Sequence, residues 1–297
     1  MKIFLAGGTG VVGTRALPAL VAAGHEVTAI ARAPEKAELV RSLGGTPITA
    51  DLFDPDSLKA AAIGHDTVVN LATSIPPMSK AARSGAWEMN ERIRKEGSGH
   101  LVDAALAVGA SRFVQESIAF PYTDNGAEWI DEDHPMTHTG AFDGAQQAEA
   151  SALRFAEGGG VGVVLRYAQF YAPDSTHTIA ANKSLRARIN PFLGAPDAYS
   201  SWINAEDAGS AVVAALRAPT GIYNVADDEP LTREEAGRAA AEALGVKPPK
   251  ALPALARKAS PASAKLLMRS LRVSNARFKA ATGWAPAHPS IRGSWPA

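Results

Sequence analysis

Short runs of Val, Ile, Leu and Ala alternate along this chain with longer segments whose apolar residues recur at helical spacing. The runs at 2–6, 26–31, 46–49, 67–71, 112–116 and 161–166 predict strands. Nearly continuous apolar strands suit a parallel sheet covered on both faces. Between them, Asp54-Pro55 predicts a helix cap followed by proline at the first helical position. Met89, Ile93, Gly97, Leu101, Ala105 and Val108 fall on one side of a long predicted helix that Gly109 ends. The alternation predicts a doubly wound α/β fold. After Arg166 the pattern turns irregular, with one more strand at 222–225. Thr232-Arg233-Glu234-Glu235 reads as a capping box before an Ala-rich helix. Prolines at 248, 249, 253 and 261 predict only short helices beyond it.

Composition narrows the classes. The 297 residues carry 30 Lys+Arg and 30 Asp+Glu, so the balanced charge argues against a nucleic-acid partner. Hydrophobic residues are 46% and charged residues 20%, a folding composition. The absence of cysteine excludes disulfides, thiolate catalysis and cysteine metal sites. No apolar run has the length of a membrane span, and the N-terminus lacks a secretory pattern. The expectation is a cytoplasmic protein with no membrane partner. Charge is uneven, however: residues 248–297 hold nine Lys/Arg and no Asp/Glu. That tail reads as a basic surface lying on an acidic body, or as a cap that attracts an anionic ligand.

The strongest local signal is Gly7-Gly8-Thr9-Gly10-Val11-Val12-Gly13, between the first strand and the first helix. Glycines there let the backbone approach a pyrophosphate at a helix N-terminus. In that position the spacing predicts a dinucleotide site. The second strand ends in Arg32 with no acid before Glu35. An acid would bond the ribose 2′-hydroxyl of NAD, whereas Arg32 suits the 2′-phosphate of NADP. NADP is therefore expected, with NAD as the alternative. Asp51-Leu52, after the third strand, reads as an adenine contact or as a turn.

These features resemble the extended or atypical short-chain dehydrogenase/reductases of the NAD-dependent epimerase/dehydratase type. The resemblance runs from the glycine turn through Asp51-Leu52, Asn70-Leu71-Ala72, Ser117, Leu165-Arg166, Phe170-Tyr171-Ala172-Pro173 and Asp207 to Tyr223-Asn224-Val225. It implies an NAD(P)-binding Rossmann domain over 1–170. A smaller substrate-binding lid over 171–297 would share elements with it. It also implies that Leu71, Ala72 and Thr73 line the cofactor and that Tyr167 to Gln169, Gln169 included, approach the nicotinamide.

The family's catalytic set is a serine plus a tyrosine followed four residues later by a lysine. Ser117 matches the serine. The helix that should carry the pair reads Ala141-Phe142-Asp143-Gly144-Ala145-Gln146-Gln147-Ala148-Glu149, and no lysine occurs between Lys95 and Lys183. Without an activating charge, a tyrosine with pKa about 10 is only ~0.1% ionised at neutral pH. Ser117 and Tyr122 are the catalytic candidates, Ser117 polarising a substrate oxygen and Tyr122 replacing the missing donor or packing in the core. Arg166, Glu116 and Glu149 read as structural partners. His134 and His138 have helical metal-ligand spacing, but Pro135 between them argues against a metal site. The reading is an NAD(P)-dependent oxidoreductase or epimerase-like enzyme acting on a small oxygenated metabolite. Its alternatives are a non-catalytic NADP(H) redox sensor and a redox-neutral isomerase or lyase that retains the cofactor. A homodimer through the long helix is expected from the family.

Overall fold

The computed structural model describes residues 1–76, 83, 85–137, 142–250 and 268–297. Seven parallel strands form the central sheet: β1 (Lys2–Ala6), β2 (Glu26–Ile30), β3 (Thr46–Ile48), β4 (Thr67–Asn70), β5 (Arg112–Ile118), β7 (Val161–Tyr167) and β11 (Gly221–Val225). Their order is β11-β7-β5-β4-β1-β2-β3, every pair parallel. The order reverses at β1, so a crevice opens beyond the carboxyl ends of β1 and β4. The expected doubly wound fold is present.

Alternate residues of each strand enter opposite layers. Ile3 and Leu5 face a core with Leu17 and Leu20 of α1 (Gly13–Ala22) and Val212 of α8 (Ala205–Ala215). Phe4 and Ala6 face the other, with Leu58 of α3 (Pro55–Ala62), Leu101 of α5 (Ser98–Ala107) and Phe155 of α6 (Asp143–Glu157). The helix α2 (Pro34–Ser42) adds Val40 to the first layer. Asp54 caps α3 as its sequence predicts, its side chain accepting from the amides of Asp56 and Ser57.

The long helix departs from its predicted stripe. It begins as α4 (Glu88–Arg92), widens into a π-helical turn at Ile93–Gly97 and continues as α5. A π turn shifts the residues that follow around the axis. Ile93, Leu101 and Ala105 are buried as expected, but Met89, ahead of the turn, is exposed.

The described residues beyond 170 both extend the sheet and build a cap. The strand β11 completes the sheet, and α8 covers one face. A third core joins Tyr171, Leu185 of α7 (Thr176–Arg186), Phe192 and Trp202 to Leu231, Ile291 and Trp295, with Ala236 and Ala240 from α9 (Arg233–Ala243). The capping box forms as predicted, Thr232 and Glu235 exchanging side-chain and backbone bonds. Two small strand pairs, β8 (Gln169–Tyr171) with β10 (Trp202–Asn204) and β6 (Trp129–Ile130) with β13 (Arg272–Val273), tie this cap to segments that follow β7 and β5, and β9 (Tyr199–Ser200) pairs with β12 (Leu231–Thr232) within it. Among the described residues no helix is long and apolar enough to cross a membrane. The proline-broken stretch at 251–267 and the histidine at 138 lie outside the described residues.

Candidate active site

The turn after β1 is shaped by backbone contacts. Gly7 has φ +82°, and a Cβ on it would lie 2.4 Å from the Leu71 carbonyl carbon. A Cβ on Gly13 would lie 2.1 Å from the Gly7 oxygen. These two glycines are therefore required by packing. Gly10 differs: its Cβ would meet only the Gly7 oxygen, at 3.4 Å, and the residue is exposed. The Gly10 amide bonds the Gly7 carbonyl at 3.0 Å, closing the turn. Gly8 and Val12 are buried beneath it, and Thr9 and Val11 lie on its outer side. The helix that follows starts at Gly13, with its dipole and first amides directed at the opening. A bare, open glycine before a helix start fits the diphosphate of a dinucleotide.

Arg32 and Asp51 stand side by side at the ends of β2 and β3. Arg32 Nη1 lies 4.0 Å from Asp51 Oδ1, and both side chains are largely exposed. Asp51 Oδ1 also accepts from the Phe53 amide at 3.0 Å, so Asp51 is a turn residue as well as a cofactor candidate. Beyond β4, Asn70 Oδ1 accepts from the Ala72 amide at 3.1 Å while its Nδ2 donates to Ser98 and Gln115. Asn90 Oδ1 accepts from the Ser74 amide at 3.0 Å. Two asparagines thus fix the path of Leu71, Ala72 and Thr73. Asn90 gave no signal in the sequence, because its target lies on another element.

The edge after β5 is closed. Ser117 is fully buried, and its Oγ donates to Glu149 Oε1 at 2.6 Å. Arg166 grips the same carboxylate from two nitrogens, at 2.9 and 2.7 Å. Arg166 Nη1 also donates to the Tyr122 hydroxyl at 2.8 Å, which donates onward to Asn224 Oδ1 at 2.8 Å. Tyr122 is fully buried, and burial pushes its pKa to about 12 despite Arg166. In this arrangement neither hydroxyl faces open space. Tyr167, expected near the nicotinamide, is also fully buried, and its hydroxyl donates to the Ala208 carbonyl at 3.1 Å. Its chain neighbours Ala168 and Gln169 do reach the crevice described below. Glu116 is clamped by Arg94, which donates to both carboxylate oxygens at 2.9 and 3.0 Å. Burial raises the Glu116 pKa, and Arg94 opposes the rise.

Phe142 occupies the N-cap of α6. The next turn carries Asp143, Gly144, Ala145 and Gln146. Glu91 of α4 supplies the cap from outside, its Oε2 accepting from the Gly144 amide at 2.9 Å. Thus the described part of this helix start holds no phenol and no ammonium. Trp202 is buried in the cap core and Trp129 is exposed, so neither borders the crevice.

A crevice opens beyond β5 and β7. It is lined by Ala119, Phe120, Ala168 and Gln169 from the sheet edge and by Tyr199, Ser200, Ser201, Arg233 and Arg269 from the cap. Two guanidinium groups in one crevice were not apparent from sequence. Their hints were an arginine in the first turn of a helix and a basic tail without acids.

These features define an NAD(P)-binding Rossmann protein. A model of the NAD(P)H-binding family matches residues 7–156. The chain belongs to this family, within the extended and atypical short-chain dehydrogenase/reductases, and its cofactor is NAD(P). It is 32% identical, over 98% of each chain, to a 3-diazoavenalumate denitrifying reductase of a Streptomyces species. An epimerase family protein of Mycobacterium bovis is 27% identical over 87% of this chain and 84% of its own. The structure of human epimerase family protein SDR39U1 with NADPH superimposes with a TM-score of 0.83 at 23% identity, covering 99% of this chain and 98% of that one. A Thermus thermophilus UDP-glucose 4-epimerase in complex with NAD gives 0.77 at 22% identity, covering 99% and 96%. The structural likenesses establish the fold.

Proposed function

We propose that this protein is an NADPH-dependent reductase whose substrate accepts hydride without help from a protein acid. What supports this reading is the start of α6, which carries Phe142, Gly144, Ala145 and Gln146 where the family resemblance would set a tyrosine and a lysine. A ketone accepting hydride becomes an alkoxide and needs a proton donor of matched pKa. An acceptor that already carries positive charge is neutralised by hydride and needs none.

An arene diazonium ion is such an acceptor, and the similar Streptomyces protein is named for reduction of a diazo compound. Hydride at the terminal nitrogen gives an aryl diazene. Loss of N2 then leaves hydrogen on the carbon that held it, so the two electrons and the hydrogen balance. Bound NADPH would supply that hydride.

The chain's own residues hold the geometry. The turn from Gly7 to Gly13 cradles the diphosphate, Arg32 takes the 2′-phosphate, and Leu71, Ala72 and Thr73 flank the cofactor. Asp51 and Leu52 border the adenosine end. Ser117, Glu149, Arg166 and Tyr122 fix the strand ends against the cap and exchange no proton with substrate. The region 171–297 forms the substrate side.

The test uses purified protein, NADPH and the diazonium formed from 3-amino-4-hydroxycinnamate. NADPH oxidation should match arene formation one to one. Turnover of simple ketones, with no oxidation of NADPH by the diazonium, would overturn the reading.

A further inference from the structure

The glycine turn is held from outside as well as from within. Arg15 is the third residue of α1, and its guanidinium reaches three separate segments. Nη1 donates to Thr14 Oγ1 at 3.0 Å and to the Val11 carbonyl at 3.4 Å. The Thr14 hydroxyl in turn donates to the Gly10 carbonyl at 3.0 Å. On its other side Arg15 meets two acids from the region beyond β7. Nη2 donates to Asp174 Oδ1 at 2.6 Å and Nε to Glu206 Oε1 at 3.1 Å. The Arg15 side chain is 13% exposed, whereas both carboxylates are largely exposed. A continuous chain of bonds therefore runs from Asp174 through Arg15 and Thr14 to Gly10, the residue whose outer side is bare.

The two acids reach Arg15 by different routes. Glu206 lies in the first turn of α8, and α8 meets α1 at its backbone: a Cβ on Gly209 would lie 2.5 Å from the Arg15 Cβ and 2.8 Å from its carbonyl carbon. That packing does not need the guanidinium. Asp174 lies between β8 and α7, on the segment that leaves the carboxyl end of β7. The Ala172 amide donates to Thr178 Oγ1 at 3.2 Å and the Ser175 amide to the Ala172 carbonyl at 3.1 Å, so a tight turn presents the Asp174 side chain. In the sheet, β5 and β4 stand between β7 and β1. The segment from Gln169 to Asp174 thus runs from the end of β7 to the start of α1, beside the crevice where a dinucleotide lies. Two carboxylates against one guanidinium leave this flank of an anion site net negative, which by itself opposes a diphosphate. What Asp174 supplies is a tether.

We infer that Arg15 is a positioning residue for the dinucleotide: through Asp174 it fastens the segment after β8 to the diphosphate turn, and this latch slows release of the cofactor. Arg15 acts through the turn and touches no reacting atom. The inference is independent of the reaction carried out at the edge after β5. A partly exposed ion pair contributes at most about a five-fold factor, so the latch sets how long the dinucleotide stays and the turn decides whether it binds. Salt screens such a pair, so the latch loosens as ionic strength rises.

The experiment is stopped-flow displacement of bound NADPH by excess NADP+, followed by nicotinamide fluorescence. Asp174→Asn should speed release about five-fold, with the urea midpoint unchanged. A diphosphate that responded only to the lost negative charge would leave more slowly, so a slower or unchanged rate in Asp174→Asn would overturn the latch. Arg15→Met should speed release at least as much, and Arg15→Lys should restore part of the slow release. Adding Asp174→Asn to Arg15→Met should have no further effect; two effects that multiply would overturn the inference. If Arg15→Met fails to fold, the rate in Asp174→Asn decides alone. Raising salt from about 0.05 M to about 0.5 M should bring the unaltered protein toward the rate of Asp174→Asn. An equal proportional response of the two proteins to salt would overturn the latch.

Discussion

The turn after β1 and the edge after β5 are separated in the sheet by β4 alone, yet they are built in different ways. The turn depends on atoms close together in the chain. Gly7 and Gly13 meet through backbone, and Gly10 leaves its outer side bare. The edge depends on side chains from distant segments. Ser117 meets Glu149 across 32 residues, and Tyr122 meets Asn224 across 102. A backbone cradle recognises what its ligand always presents, a diphosphate, and resists change. A side-chain edge can change chemistry while the strands beneath it stay in place. On the function proposed above, the first region records the cofactor and the second the reaction.

Substitutions should separate the two regions. The largest effect is expected at the edge. Glu149→Ala leaves the buried Arg166 without its carboxylate, and should cost about 3–5 kcal/mol in urea unfolding. A loss below about 1 kcal/mol would show that the network does not hold the edge together. At the turn, Gly10→Val places a side chain where the diphosphate approaches. NADPH affinity should fall about a hundred-fold, or about 2.7 kcal/mol, while the urea midpoint stays unchanged. Equal damage to folding and binding would mean that Gly10 serves packing, as Gly13 does.

Tyr122→Phe should cost about 1 kcal/mol of stability, the usual worth of a buried hydrogen bond, and change kcat less than about three-fold. A drop of about a hundred-fold in kcat, with stability intact, would return Tyr122 to the role of proton donor.

The smallest expected effect concerns Asp227, just past β11. Burial first, then the charges of Asp228, Glu229 and Asp207, raise its pKa to about 9. The native state therefore keeps this proton where the unfolded chain, with pKa about 3.9, has released it. Stability falls as pH rises across that interval. Asp227→Asn should gain stability over the unaltered protein as pH rises from about 4 toward about 8, and show no such advantage near pH 4. A constant difference across pH would exclude the buried acid as its source.

Legibility in the sequence follows the same division. The glycine turn, the Asp54 cap and the capping box at Thr232 are local patterns, and they form as predicted. The pairing of Arg166 with Glu149 follows from the low odds of a buried charge without a partner. Packing of Tyr122 is one of the two readings its sequence allows, but the enclosure of its hydroxyl was not legible, because Arg166 and Asn224 reach it from other strands. Nor did periodicity reveal the π turn at Ile93–Gly97, which displaced Met89 from the buried stripe. The convergence of Arg233 and Arg269 depends on how the cap folds back onto the edge. No spacing within one segment encodes it.

The proposed reductase transfers hydride at this edge without a titrating protein donor. Its most direct test is the single-turnover rate of NADPH oxidation by an arene diazonium carboxylate, followed by stopped flow from about pH 6 to about pH 9. The rate should vary less than about two-fold over that range, in the unaltered protein and in Tyr122→Phe alike. A rate that falls about ten-fold per pH unit above an apparent pKa, and that Tyr122→Phe abolishes, would contradict it.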